Sequence, residues 1–547
     1  MGRRRREKPP STSRPSKPAG SAPVWHKIPE EMPKPTDAPR SPWPRRVALA
    51  AALVLAAAVR LDCLSQKPFW RDEAWVANLV RAPLSAVIAG PRSIPIGFVA
   101  LVKAVVAALP HVPPEISMRL LPLSASLLAL VLLPPLARRL HAPPMTDVVA
   151  VWLGAGMSVF VYYARELKAH GLDLLVAVLV PLLALRLMPD DDTDGTPARW
   201  QRWAALYLLL AVQPWITFGA AFLVAAVLAC FAIAGGRRGS FAWRVAWAGG
   251  AAIWLASLAA AYRVALAIQV NNPRLLRFWS DELAVATGRG PLGFARALLR
   301  FHEVLLPYLA SDLGAWGTAI VVALVCLGVG SWSRSSRRIL CGVWLLTATL
   351  ASMAAVAGLW VLGPGRLLLF AAPPVLLFAA AGLVRLAAWL PGSAPRWAPV
   401  ALAVFACVVW SAESVLHRRR PFHPQADRYF RYDILHDVEP LIAAASAQAA
   451  PHEPVLVSRF SAETFLFYAN GRLPQATICR PVACPDDQPV VEDWLTRLHG
   501  RGFVLLLEEE APARRQQIAN AGCTLRRVGV SRGALLWEVR PSSRAPG

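Results

Sequence analysis

The chain has 547 residues, is 56% hydrophobic and carries a formal net charge of +24. Several Ala/Leu/Val runs approach the ~20 residues a helix needs to cross a bilayer core, which excludes an ordinary soluble protein. Much of the positive charge sits in the N-terminal tail and in short loops between apolar runs, so membrane orientation explains it without a nucleic-acid partner.

Residues 1–44 are rich in Arg, Lys, Pro and Ser and open on the block Arg3 to Arg6. Such a segment has little apolar surface to bury and reads as a disordered basic cytoplasmic tail. About forty polar residues ahead of the first apolar run do not suit a cleavable signal peptide.

The first span, 47–64, delivers Pro68-Phe69-Trp70-Arg71-Asp72-Glu73-Ala74-Trp75 to the far face. Two adjacent carboxylates follow Arg71 and lie between tryptophans, which favour a membrane–water boundary. Acids there can do proton chemistry on a substrate held by lipid; the plain alternative is a solvated, charged turn. Residues 75–88 repeat apolar pairs every four positions, which predicts an amphipathic surface helix broken near Pro83. Residues 94–109 are apolar apart from Lys103 and short for a span. Were they to cross, Arg138-Arg139 and the later basic loops would face outside, so they are placed in the interface, within an outer loop 65–117.

Further spans are expected at 118–137, 146–163, 171–188, 203–214, 217–234, 245–266, 314–331, 339–360, 367–386 and 397–413. The fold class is thus a polytopic α-helical membrane protein of about 11 transmembrane helices, N-terminus inside and C-terminus outside. Residues 267–313 read as a second outer segment. Residues 421–547 read as a small extracytoplasmic α/β domain, with strands at Pro454–Ser458, Phe503–Leu507 and Ala534–Val539 and helices at 434–449, 460–469 and 490–499. No two of the eight cysteines have CxxC spacing, which argues against a zinc site; an exported tail would let Cys479 and Cys484 pair.

Two further clusters stand near predicted span ends. In Tyr162-Tyr163-Ala164-Arg165-Glu166-Leu167-Lys168-Ala169-His170, a helix from residue 166 would put Glu166, His170 and Asp173 on one face, with Arg165 and Lys168 on the neighbouring one. The plain alternative is an ordinary helix end marked by charges. In Leu362-Gly363-Pro364-Gly365-Arg366, a tight turn presents one arginine, a residue type whose planar donors grip phosphate oxygens in pairs; the plain alternative is a snorkelling interfacial arginine.

Taken together, Trp70-Arg71-Asp72-Glu73-Ala74, Ser93-Ile94-Pro95-Ile96-Gly97-Phe98, Glu115 with Arg119-Leu120, Tyr163 to Lys168 and Gly365 to Phe370 resemble the GT-C class of membrane glycosyltransferases. The branch they resemble holds bacterial relatives of protein mannosyltransferases and the lipid A aminoarabinose transferase. The resemblance covers most of 45–470 and departs at Ala169-His170, where relatives often carry Tyr. It implies a GT-C-like catalytic module over 45–420 in a bacterial inner membrane. The implied donor is a polyprenyl-phosphate sugar and the acceptor a lipid, glycan or protein, with inversion at the anomeric carbon. By the same resemblance Asp72 is the base. Glu73 and Glu166 hold a divalent metal ion (Mg2+ or Mn2+) or orient the acceptor, metal dependence being left open. Arg366, Lys168 and Arg165 meet the phosphate, and Arg71, His170 and Asp173 contact substrate. Two other readings remain: a transporter or flippase for a lipid-linked or anionic solute, which predicts charges at mid-span and symmetric repeats, and a non-catalytic scaffold.

Overall fold

The computed structural model describes residues 43–62, 64, 68–89, 94–188, 198–236, 239–270, 290–310, 314–363, 365–389, 397–417, 437–479, 488–508 and 510–542. The chain divides into Met1–Pro44 and one compact unit, Arg45–Gly547. The basic tail up to residue 42, Ser93, Cys484 and 271–289 of the second outer segment lie outside the described residues, and with them the tail's expected disorder and the possible Cys479–Cys484 pairing.

Apolar runs become helices because a chain in lipid must satisfy its own peptide groups. The first is α1 (Trp43–Leu61); then come α2 (Arg71–Arg81), α3 (Leu84–Ala89), α4 (Ile96–Ala108), the single turn α5 (Pro114–Ser117) and α6 (Leu120–Arg139). The break at Pro83 falls between α2 and α3, as the apolar pairing predicts. At 13 residues α4 is about 20 Å long, too short for a bilayer core of roughly 30 Å. Its Lys103 is turned toward α2: Nζ donates to the carbonyls of Val80 and Ala82, both at 2.7 Å, closing the C-terminal end of that helix.

Next come α7 (Thr146–Gly156), α8 (Ser158–Ala164), α9 (His170–Arg186), α10 (Ala198–Ile216), α11 (Ala220–Gly236) and α12 (Phe241–Ala261), then a π-helical turn and α13 (Ala267–Val270). The expected single span 146–163 is instead bent by 62° between α7 and α8. Two contacts account for the bend. A Cβ on Gly156 would lie 2.6 Å from the Cys407 backbone, so another helix crosses there with no room for a side chain. The carbonyls freed at the break are taken by Arg60 of α1, whose buried guanidinium donates to Gly154 (3.0 Å) and Ala155 (2.9 Å), with Ser126 Oγ at 3.3 Å.

Then follow α14 (Pro291–Ala310), α15 (Gly314–Val329), α16 (Arg334–Val356), a 3-10 helix (Gly365–Ala371), α17 (Ala372–Ala387) and α18 (Ala398–His417). Part of the expected second outer segment is therefore the 20-residue helix α14, which buries a stripe of Gly293, Ala297, Phe301, Val304, Leu305 and Tyr308 at helical spacing. Among the described residues four helices are long and apolar enough to cross a membrane, or six if each of two bent pairs is one span. The eleven spans expected from the sequence exceed this count because several expected segments are short or broken; α11, at 17 residues, reaches only about 26 Å.

The C-terminal part holds a five-stranded sheet of order β2-β1-β3-β5-β4, built from β1 (Val455–Val457), β2 (Ala476–Ile478), β3 (Gly502–Leu507), β4 (Cys523–Ser531) and β5 (Ala534–Pro541). The first three are parallel and the last two antiparallel. Helices α19 (Glu439–Gln448), α20 (Ala462–Ala469), α21 (Gln488–Thr496) and α22 (Ala511–Asn520) accompany it. Residues of α20 pack with Val455, Val457, Phe503 and Leu505, whereas Val491 and Trp494 of α21 pack with Leu456, Val504 and Leu506. Alternation along β1 and β3 thus puts the two crossover helices on opposite faces. Helix α20 also packs against α2, so the sheet domain sits at the end of the helix bundle that carries Asp72.

Candidate active site

Helix α2 begins at Arg71, and its two acids lie in the first turn, where the helix dipole favours negative charge. Neighbouring helical residues point about 100° apart, so the two carboxylates go to different places. Glu73 turns inward and is fully buried. Its Oε1 and Oε2 accept from Arg119 Nε (2.8 Å) and Nη2 (2.6 Å), and Oε1 also accepts from the Leu167 amide at 2.8 Å. Arg119 is equally buried, lies over the Phe69 ring at 4.7 Å and donates to the Pro68 carbonyl at 3.2 Å. Glu73, expected among the reacting groups, is instead the clamp between the segment before α2, the start of α6 and the bend between α8 and α9.

Asp72 points the other way, with a quarter of its side chain exposed. Oδ1 is 3.3 Å from Arg71 Nε. Oδ2 lies 3.8 Å from Lys168 Nζ and 4.0 Å from Arg366 Nη1. Burial pushes this carboxyl upward, but Lys168, Arg71 and Arg366 outweigh it and hold the group well below the usual carboxylate range. Burial also lowers the Lys168 ammonium, against the pull of Asp72 and Glu166. Lys168 Nζ stands 5.6 Å from the Trp75 ring centroid, a cation–π distance.

Residues 165–169 form a tight bend closed by Lys168 N donating to Glu166 O at 2.7 Å, and α9 starts only at His170. The expected helical face through Glu166, His170 and Asp173 therefore does not form: the Leu167 amide is committed to Glu73, and the chain turns there. Glu166 is fully buried, with Arg366, Lys168 and Tyr163 as electrostatic neighbours. His170 packs edge-on against Tyr163 (4.9 Å between centroids), its Nδ1 3.6 Å from Asp173 Oδ2. Asp173 Oδ1 accepts from the Ala220 amide at 3.0 Å and so caps the first turn of α11. Arg165 reaches back to the Asp62 carbonyl at the end of α1, at 3.4 Å.

Arg366 is the second residue of the 3-10 helix, and the residue that opens it must be glycine: a Cβ on Gly365 would lie 2.4 Å from the Tyr308 ring. Tyr308 of α14 and Tyr163 of α8, 6.4 Å apart by ring centroids, are electrostatic neighbours of Arg366. The structure thus gathers Asp72, Arg71, Lys168, Arg366 and Glu166, places His170 beside Tyr163, and spends Glu73, Arg165 and Asp173 on holding the frame. Sequence reasoning missed Tyr308, visible only as one position of an amphipathic stripe.

The sheet domain completes the surroundings. The Phe69 amide donates to Tyr468 Oη at 2.8 Å, Asn78 Nδ2 donates to the carbonyl and carboxylate of Glu463, both at 3.0 Å, and Arg81 donates to the Phe467 carbonyl at 2.7 Å. The Glu73–Glu166 pair does not fit a metal ion, because both Glu73 oxygens are engaged by Arg119. Among the described residues no three His, Cys, Asp or Glu side chains group to hold one.

This architecture is the fold of the GT-C class of membrane glycosyltransferases, the class the motifs resemble. The structure is similar to that of ArnT from Cupriavidus metallidurans in the apo state, with a TM-score of 0.53 and 13% identity over 91% of this chain and 98% of that one. The same enzyme bound to undecaprenyl phosphate matches with the same figures. No family model matches the sequence, and no curated protein does.

Proposed function

We propose that the chain is an integral membrane glycosyltransferase of a bacterial inner membrane. It moves a sugar from a polyprenyl-phosphate donor to a hydroxyl or amine on the extracytoplasmic face, where the sheet domain lies. One observation carries the reading: Asp72, Lys168 and Arg366, drawn from distant parts of the chain, meet within 4.0 Å. The ArnT structure with undecaprenyl phosphate supports a donor of that kind.

In this reading Lys168 and Arg366 take the donor phosphate and stabilise the charge that it gains as a leaving group. Asp72 accepts the proton of the acceptor while the new bond to C1 forms and the C1–O bond to phosphate breaks, the electron pair leaving with the polyprenyl phosphate. A single displacement inverts C1. In the free protein the surrounding cations make Asp72 a weak base. A phosphate that shares those cations relieves the suppression, so the donor binds first and switches the base on.

The test uses purified full-length protein in nanodiscs with undecaprenyl phosphate, together with mass spectrometry of envelope glycans in a deletion strain to name the product. Asp72→Asn is expected to bind undecaprenyl phosphate normally in the nanodiscs and, returned to the deletion strain, to restore no glycan. Near-normal turnover by this variant refutes the role of the base, and lipid translocation without transfer favours the transporter reading.

A further inference from the structure

Helix α6 starts beside the Glu73–Arg119 clamp and runs for 20 residues. That is about 30 Å, so its far end lies roughly a bilayer core away from Asp72. At that end an apolar cleft opens between five helices. Leu136 and Leu140 line it at the end of α6, and Ile339, Leu340 and Val343 line it from α16. The side chains that α9, α11 and α17 contribute are apolar as well. The cleft is narrow and encloses about 350 Å³, part of it open to the surroundings, and Ile339 keeps some of its surface free. Such a gap does not hold water, and left empty it forfeits the dispersion contacts of its walls.

The two helix ends that flank the cleft carry arginines: Arg138-Arg139 on α6, and Arg334, Arg337 and Arg338 on α16. Arg138 has a carboxylate, because it shares Asp147 with Arg45, its Nη1 3.9 Å from Oδ2. Arg139, Arg334, Arg337 and Arg338 have none among the described residues. Three of these four stand in the first five residues of α16, with no acid in that turn, at the helix end whose dipole repels cations. The N-cap Ser333 Oγ accepts from one amide there, that of Ser336 at 3.4 Å. Just ahead of it, the buried indole N–H of Trp332 has no acceptor among the described residues. Cations and spare donors gathered at a positive helix end call for an anion from outside the chain.

We infer that an anionic phospholipid binds here, with its phosphate among Arg139, Arg334, Arg337 and Arg338 and one acyl chain in the cleft. Both halves of the site are needed to name the occupant. A free anion leaves the apolar walls unfilled, and a neutral lipid leaves the arginines uncompensated. Basic pockets between the ends of membrane helices take anionic headgroups for this reason. The bound lipid braces α9 and α17, whose other ends lead to Lys168 and Arg366. The inference stands apart from the glycosyltransferase reading, since it uses no residue of that site.

The experiment places full-length protein in phosphatidylcholine nanodiscs that contain a trace of phosphatidylglycerol, or of phosphatidylcholine, with a diazirine on one acyl chain. After photolysis, labelled peptides are identified by mass spectrometry. Phosphatidylglycerol is expected to label peptides covering 136–140 and 339–343 about tenfold more than phosphatidylcholine does. Arg139→Gln and Arg338→Gln, both at exposed positions, are each expected to cut that labelling about fivefold while undecaprenyl phosphate binding stays unchanged. Equal labelling by the two lipids, or labelling indifferent to both variants, overturns the site. Displacement of the label by inorganic phosphate reduces it to an anion site, and displacement by undecaprenyl phosphate assigns the cleft to a polyprenyl tail. Either result overturns the phospholipid.

Discussion

Removing the Glu73 carboxylate tests whether a buried ion pair holds the two candidate catalytic segments together. In Glu73→Ala, Arg119 keeps its charge at zero exposure and loses two charge-assisted hydrogen bonds, and the Leu167 amide loses its acceptor. Breaking a buried pair from one side costs about 3–5 kcal/mol, because an uncompensated charge stays inside. At 1.4 kcal/mol per decade this is roughly 150- to 4,000-fold in the opening equilibrium of the segments joined. Hydrogen exchange followed by mass spectrometry is the assay: peptides covering α2 and 165–169 should exchange faster by that factor, and those of β3 and β5 should not change. The double variant Glu73→Met, Arg119→Met removes both charges and should recover most of the protection. If Glu73→Ala speeds exchange in α2 by less than about fivefold, the clamp is not what fixes Asp72.

Further outcomes follow from the same contacts. The carboxyl of Asp72 is held below its unfolded value of roughly 3.9, so its ion pairs stabilise the protein fully above that pH and are lost only as pH falls through the lower folded value. A pH profile of kcat/KM should therefore show no acid limb from Asp72 between about pH 5 and 7, and Lys168→Met should move that limb upward. An unmoved limb would remove Lys168 from the surroundings of the base. Lys103→Met deletes two charge-assisted bonds to the end of α2 and should cost about 1.5–3 kcal/mol for each bond lost at most, read as faster exchange at 78–82. Asp173→Ala removes the cap on α11 and should destabilise that helix by about 0.5–2 kcal/mol, with undecaprenyl phosphate binding unchanged.

The residues that meet at Asp72 were legible because each is a charge beside an apolar run, where a charge needs a reason. Their division of labour was not. Asp72 and Glu73 are adjacent and chemically near-identical in the sequence, and only the direction of a helix that starts at Arg71 sends one to the cations and the other into Arg119. The break in 146–163 was equally silent, since it depends on a crossing helix at Cys407 and a donor from Arg60, both far away in the chain. In the sheet domain β1, β3 and β5 could be read because they are apolar and central. Edge strands β2, only three half-buried residues long, and β4, with exposed polar positions, could not, and neither could α22 with its run Arg514-Arg515-Gln516-Gln517.

Arg60 constrains how the protein is made. Within its own helix this guanidinium reaches one carbonyl, that of Ala56 at 3.2 Å; its other two carbonyl partners, Gly154 and Ala155, are synthesised some ninety residues later, in α7. If α1 is a span, as the sequence reading expects, the part of the guanidinium not met by Ala56 should draw it toward the headgroups until the broken helix arrives. Chains truncated before α7 should carry α1 at a different depth from chains truncated after it.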